Sequence, residues 1–125
     1  MNATTKPAWH RQAIALLGKV ARQLAIPTGE RTIRSNKAGP AVGGEVTMSA
    51  PKFGIYIHLA CPIDGYGNDD APYWAGSNYA RGCDEKDPYG TSMRFPNRSL
   101  PATPTLEDIV SLVRFIKANP SAASS

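Results

Sequence analysis

The stretch FGIYIHL, residues 53–59, decides the fold, because its side chains alternate in character with a period of two. Such alternation predicts a β-strand with one buried face. The set expected to face the core is Phe53, Ile55, Ile57 and Leu59. The other set includes Tyr56 and His58, which are expected to lie side by side on the opposite, less buried face.

Further strands are expected on both sides of this one. Residues 32–35 and 42–48 also have strand character. Short turns containing Gly, Pro and Asn join the first of these segments to the second, and the second to residues 53–59. Such turns between short strands predict a three-stranded antiparallel meander. A fourth strand is expected at residues 73–75 and a fifth at 93–95, although Gly and Pro are frequent there.

A helix is expected at the N-terminal end of the chain. It should start near Thr5, with Pro7 in its first turn, and end before Pro27. Its apolar residues recur at steps of three and four, which places them on one helical face. This predicted apolar stripe consists of Trp9, Ala13, Leu16, Val20 and Leu24.

A second helix is expected near the C-terminal end. The sequence from Thr105 to Asp108 matches a capping box in which Asp replaces the usual Glu. An apolar stripe with helical spacing follows and stops before Asn119 and Pro120. Its members are Leu106, Ile109, Val110, Val113 and Ile116.

Together these elements predict an α+β fold, a small antiparallel sheet of three to five strands packed by the two helices on one face. The 125 residues, 42% hydrophobic and 19% charged, match the size and composition of one globular domain. We expect that domain to span residues 1–119, with 60–104 as an elaborated loop region rich in Gly, Pro and Tyr, and 120–125 as a disordered tail. Since no apolar run suits a membrane span or a signal peptide, the expected location is the cytoplasm, away from membranes.

Charge is distributed unevenly along the chain. Residues 1–44 contain seven Lys or Arg and one Glu, whereas residues 63–88 contain six acidic residues against two basic ones. The molecule is therefore expected to have a basic and an acidic side. A basic surface favours nucleic acid, nucleotides or an acidic protein as partner, but mild basicity also serves solubility alone.

The two cysteines, Cys61 and Cys83, are expected to be reduced and structural. A zinc site made by both thiolates and His58 is the weighed alternative, with a fourth ligand from Asp64, Asp84 or His10. A cysteine nucleophile assisted by His58 and Asp64 is another. Because no specific motif accompanies these residues, we expect no catalytic residue, no metal and no cofactor.

Residues 60–104 carry the side chains expected to bind a partner. Tyrosine and arginine are the usual anchors of protein interfaces, and flexible Gly-rich loops often present them. The expected anchors are Tyr66, Tyr73, Tyr79, Arg81, Tyr89 and Arg94. The alternative is an anion site for nucleic acid or a phosphorylated nucleotide, because guanidinium groups fork onto phosphate oxygens. That site would use Arg31, Arg34, Arg81, Arg94 and Arg98.

Two parts of the chain carry a family resemblance. Residues 9–46, with the turn IRSNKAG at 33–39 and the strand AVGGEV at 41–46, resemble small accessory proteins encoded in phages, prophages and integrative elements. Residues 81–97 are similar to the Cys, Gly, Tyr and Arg-Asn segment of those proteins, whereas 61–74 departs from their pattern. The resemblance implies a non-enzymatic, counter-defence inhibitor that binds a host nucleic-acid-handling complex such as a CRISPR effector. Independently of the resemblance, exposed apolar or aromatic surface on so small a domain makes a homodimer a reasonable expectation.

Overall fold

The computed structural model describes residues 5–37, 39, 43–63, 78–92 and 95–119. Within them, five strands form one antiparallel sheet whose order follows the chain, β1-β2-β3-β4-β5. In chain order the elements are α1 (Lys6–Gln23), β1 (Thr32–Asn36), β2 (Glu45–Ala50), β3 (Ile55–Ala60), β4 (Tyr79–Gly82), β5 (Asn97–Ser99) and α2 (Leu106–Ala118). The α+β class predicted from the sequence is confirmed. No helix among these residues has the length and apolar character that crossing a membrane requires.

The sheet buries one face against both helices. Its strand register aligns apolar side chains in rows, such as Ile33, Met48, Ile57 and Ala80. These side chains share one core with residues of both helices, and α1 and α2 contact each other above the sheet. The helical members of that core are Trp9, Ala13, Leu17, Val20, Ala21, Ile109, Val110, Val113 and Ile116.

Helix α1 starts as its sequence predicts. Thr5 is the N-cap and accepts a hydrogen bond from the Ala8 amide, and a proline occupies the first turn. The predicted stripe needs one correction, because Leu17 is fully buried whereas Leu16 and Leu24 are half-buried. Stripes through Leu16 or Leu17 both fit helical spacing, so periodicity alone did not distinguish them.

Helix α2 has the capping box expected from its sequence. The Thr105 hydroxyl accepts from the Asp108 amide at 3.1 Å, and the Asp108 carboxylate accepts from the Thr105 amide at 2.9 Å. These two bonds satisfy amides that have no partner within the helix. The predicted stripe is buried, except for Leu106, which is half-buried.

The N-terminal meander is confirmed, with shifted strand ends. β2 begins at Glu45, because Gly44 has a φ of +75°, which is not the backbone conformation of a strand. Glycine suits this position, since a Cβ atom there would run into the Asn36 carbonyl oxygen. Val42, where this strand was predicted to start, lies outside the described residues. β3 begins at Ile55, because residues 51–53 form a short 3-10 turn that leaves Phe53 half-buried beside the core.

The later strands differ more from the prediction. β4 lies at Tyr79–Gly82 and was not predicted, while residues 73–75, where a fourth strand was expected, lie outside the described residues. β5 lies at Asn97–Ser99, after the predicted segment 93–95, of which the described residue Phe95 is in a bend. The segment 60–104 therefore contributes two strands to the sheet. The expected tail, 120–125, lies outside the described residues.

Candidate binding site on the open face of the sheet

The face of the sheet that points away from the helices carries polar, cationic and aromatic side chains in two rows. We call this surface the open face. One row consists of Arg34, Thr47, His58 and Tyr79, and the other of Thr32, Ser49, Tyr56 and Arg81. Because neighbouring strands are about 4.8 Å apart, adjacent members of a row are within contact distance of each other.

An aromatic stack lies at the centre of the open face. The His58 and Tyr79 rings are cross-strand partners and stack with a centroid separation of 4.7 Å and an interplanar angle of 5°. The guanidinium carbon of Arg81 lies 4.5 Å from the centroid of the Tyr79 ring. A cation at this distance is attracted by the ring quadrupole, so the three side chains position one another.

One end of the open face is covered by residues 83–92, which we call the covering loop. The Ser49 hydroxyl donates to the Pro88 carbonyl oxygen at 2.6 Å. The Arg81 guanidinium donates to the Tyr89 carbonyl oxygen at 3.4 Å. The Tyr89 ring meets the Tyr56 ring edge to face, with centroids 5.8 Å apart and planes at 89°. These contacts fix the loop to strands β2, β3 and β4.

The covering loop corrects the expectation for Tyr56. This residue was predicted on a less buried face, but only 8% of it is exposed, because Tyr89 lies against it. Burial raises the pKa of the Tyr56 phenol, and Tyr79 raises it further, so the hydroxyl stays protonated at neutral pH. Tyr89 itself is 45% exposed.

Two aspartates and a glycine shape the covering loop. The Asp84 carboxylate accepts from the Asp87 amide at 2.8 Å, and the Asp87 carboxylate accepts from the amides of Thr91 and Ser92 at 3.0 and 2.8 Å. Gly90 has a φ of +65°, and a Cβ atom there would run into the Gly82 carbonyl oxygen. Local hydrogen bonds therefore hold Tyr89 in position before any ligand arrives.

A pocket of about 140 Å³ opens between the covering loop and strands β1 and β2. Its polar lining residues are Thr32, Arg34, Thr47 and Ser49, and its other lining residues are Pro51, Pro88 and Tyr89. Among the described residues no carboxylate lines it. The pocket is thus a small site with one fixed positive charge.

The structure brings together part of each predicted site. Of the interface anchors, Tyr79, Arg81 and Tyr89 meet at the open face, and Tyr66, Tyr73 and Arg94 lie outside the described residues.

The arginines of the predicted anion site are divided. Arg34 and Arg81 belong to the open face, but Arg98 pairs with Ala80 and its guanidinium carbon lies 5.5 Å from the Phe115 ring, on the helix side. Arg31 donates to the Ile26 carbonyl oxygen at 3.0 Å. Because side-chain direction alternates along a strand, only the strand register shows that Arg81 and Arg98 lie on opposite faces of the sheet.

Sequence reasoning missed five members of the open face as binding residues: Thr32, Thr47, Ser49, Tyr56 and His58. His58 was placed beside Tyr56 and considered as a metal ligand, but its ring partner in β4 was not recognised. The signal available in the sequence was the Tyr-Ala-Arg-Gly run at 79–82, whose alternation of large polar and small residues fits a strand with one buried face.

The structure places the two cysteines and His58, the residues weighed for a zinc site and for a nucleophile. Cys61 and Cys83 are buried, free thiols, and the Cys61 thiol donates to the Ile63 carbonyl oxygen at 3.3 Å. Cys61 belongs to the core, on the other side of the sheet from His58, and Asp64 lies outside the described residues. Within the part of the chain that the structure describes, no three His, Cys, Asp or Glu side chains are grouped so as to hold a metal ion.

Both thiols are expected to resist modification in the folded protein. Burial raises the pKa of Cys61, and burial together with Asp84 and Asp87 raises the pKa of Cys83 to about 12, so little thiolate exists at pH 8. Labelling with iodoacetamide at pH 8, followed by mass spectrometry, should be at least about tenfold slower for the native than for the urea-unfolded protein. Equal rates in the two states would contradict this account of the thiols.

No family model, no curated protein and no solved structure matches the chain. The resemblance to phage-encoded accessory proteins therefore stays a prediction. Fold and site define a class by their own features: an α+β protein whose sheet has one face packed by helices and the other carrying an aromatic stack, two arginines and a small cationic pocket.

Proposed function

We propose that the protein acts by binding, not by catalysis, and that its open face binds single-stranded nucleic acid. The observation that carries this proposal is the parallel stack of His58 on Tyr79, with Arg81 against the same tyrosine ring. Proteins that bind single strands combine aromatic rings, on which bases stack, with cations that follow the backbone. Thr47, the β2 partner of His58, is small, so a base placed above it would continue the stack.

The charges of the open face suit a phosphate backbone. Arg34 lies two strands away from His58 in the same row, and the Arg81 guanidinium lies against the Tyr79 ring. Each guanidinium has five N–H donors, so Arg81 can contact a phosphate while it keeps its bond to the Tyr89 carbonyl. Stacking and phosphate contacts discriminate little between the bases, so we expect binding with weak base preference.

The proposal is tested by the salt dependence of binding. A 5′-phosphorylated, 3′-fluorescein oligothymidylate is titrated with the protein between 50 and 200 mM NaCl, and fluorescence anisotropy gives the binding constant. Each phosphate contact to a single strand contributes about −0.7 to the slope of log K against log salt. Two arginines predict a slope of about −1.4 for the wild type and about −0.7 for Arg81→Gln.

The matched control is Arg98→Gln, which removes the same charge from the helix side of the sheet. Its slope should equal that of the wild type. The proposal is wrong if the wild type does not bind the oligonucleotide at 50 mM NaCl, or if both variants change the slope equally.

A second candidate, a protein partner, is favoured by one observation: Tyr89 is 45% exposed on a covering loop that is already ordered, beside Arg81. Rigid tyrosines and arginines are frequent interface hot spots. The partner would be the host complex implied by the resemblance, a nucleic-acid-handling assembly such as a CRISPR effector, with the protein as a counter-defence inhibitor. Native mass spectrometry of the protein recovered from its host separates the candidates: a bound oligonucleotide supports the first and a co-purifying host protein the second.

A further inference from the structure

We infer that the pocket beside Arg34 is a subsite for a terminal phosphate, carried by a nucleotide or by the end of a nucleic-acid strand. This inference rests on the proposed function and names which group of the ligand enters the pocket. The volume of about 140 Å³ holds roughly four or five water molecules, at about 30 Å³ each. Sites that enclose a whole small molecule are larger, about 300–1,000 Å³. The pocket therefore accepts one chemical group.

The lining of the pocket selects an oxyanion. Arg34 has forked N–H donors with a fixed positive charge, and the Thr32 hydroxyl can donate beside it, whereas the Thr47 side chain is hydrogen-bonded to Tyr56. The Ser49 hydrogen already goes to the Pro88 carbonyl, so the Ser49 oxygen is left to accept, for instance from a sugar hydroxyl. A phosphate with its sugar offers complementary acceptors and donors.

The walls of the pocket indicate a terminal group. Pro51, Pro88 and Tyr89 line it, and the Ser49 to Pro88 bond fixes the covering loop there. A polynucleotide backbone has to enter and leave a site through two openings. A pocket walled by the covering loop suits a phosphate at the end of the ligand better than an internal phosphodiester.

The pocket adjoins the aromatic stack. Thr47 lines the pocket and is also the cross-strand partner of His58, so one strand spacing of about 4.8 Å separates the two positions. Tyr89 forms a wall of the pocket and contacts Tyr56, whose ring centroid is 6.4 Å from that of Tyr79. A base on the stack and a phosphate beside Arg34 can thus belong to one nucleotide.

The test compares ligands that differ only in the terminal phosphate. Isothermal titration calorimetry measures the affinity of the wild type for 5′-AMP against adenosine, and for 5′-phosphorylated against 5′-hydroxyl oligothymidylate. A phosphate bound by Arg34 should raise the affinity by about tenfold or more, because charge-assisted hydrogen bonds are strong. Arg34→Gln should abolish this gain, while Arg11→Gln, an equal charge change on the exposed face of α1, should preserve it. Both variants should melt at the wild-type temperature.

The outcomes separate this inference from the proposed function. A gain with 5′-AMP identifies free nucleotides as sufficient ligands, and a gain confined to the oligonucleotide identifies strand ends. Equal affinity with and without the phosphate, in a wild type that still binds the oligonucleotide, would overturn the subsite and leave the proposed function standing. Absence of binding to every nucleic-acid ligand would overturn both. Arg34-dependent binding of a glutamate-rich peptide in that case would assign the pocket to a protein carboxylate.

Discussion

Replacing His10 with alanine is expected to lower the free energy of unfolding by about 3 kcal/mol or more. His10 is 1% exposed and joins α1 to the sheet. Its Nε2 atom lies 2.7 Å from the Gly43 carbonyl oxygen, which can only accept, so Nε2 carries the hydrogen. Its Nδ1 atom then accepts from the Ser35 hydroxyl at 2.7 Å. The substitution leaves a cavity and an unsatisfied buried carbonyl.

His10 also makes the free energy of unfolding depend on pH. Burial lowers the pKa of His10 in the folded protein, with Lys37 and Lys6 adding to the effect, despite the opposing bond to Gly43. As pH falls through about 6.5, the unfolded chain binds the proton first. The contribution of His10 is therefore fully present above pH 6.5 and is lost as pH falls from there towards the lowered folded pKa.

Urea unfolding at pH 7.5 and 5.5 measures both effects. The free energy of unfolding of the wild type should fall between pH 7.5 and 5.5, and His10 accounts for part of this fall. That part should be absent in His10→Gln, because glutamine can still donate to Gly43 but does not titrate. His58→Ala is the control at pH 7.5, because His58 is half-buried on the open face and its removal should cost about 1 kcal/mol or less. Equal stability of His10→Ala and the wild type would show that the buried bonds contribute nothing.

Replacing Tyr79 with valine is expected to weaken binding of a single-stranded oligonucleotide by about tenfold to a hundredfold, because it removes the ring that positions His58 for stacking with a base, an interaction of about 1–3 kcal/mol. Tyr79 carries the stack, since both the His58 ring and the Arg81 guanidinium contact it. Valine keeps the strand propensity of β4 while it removes the ring. Fluorescence anisotropy at constant salt measures the change.

The matched control is Phe115→Ala. Phe115 is 47% exposed, and the Arg98 guanidinium carbon lies 5.5 Å from its ring centroid, so this pair repeats the arginine and ring combination away from the open face. Its removal should leave oligonucleotide affinity unchanged. If Phe115→Ala weakens binding as much as Tyr79→Val does, the open face is not the contact surface.

Local signals in the sequence predicted the elements that local chemistry determines. The helix start near Thr5 and the capping box from Thr105 to Asp108 were confirmed, and the alternation of residues 53–59 was confirmed as a strand from Ile55 onward. The side chains Ile55, Ile57 and Leu59 face the core as expected, with none of their surface exposed.

The candidate site depends on contacts between residues that are distant in sequence. His58 meets Tyr79 only because β4 pairs with β3 in one register. Tyr56 is buried because the covering loop packs over it, and the alternation within β3 does not predict this contact. The burial of His10 likewise requires Ser35 and Gly43 as partners. Each of these features follows from tertiary pairing, which overrides the local pattern.

The most direct test of the open face as a binding surface is a ¹H–¹⁵N NMR titration of the whole protein with unlabelled single-stranded oligothymidylate. Our account predicts the largest amide shift changes at Thr47, His58, Tyr79 and Arg81, with little change along α1. Changes concentrated instead at the exposed basic residues of α1, Arg11, Lys19 and Arg22, would contradict it.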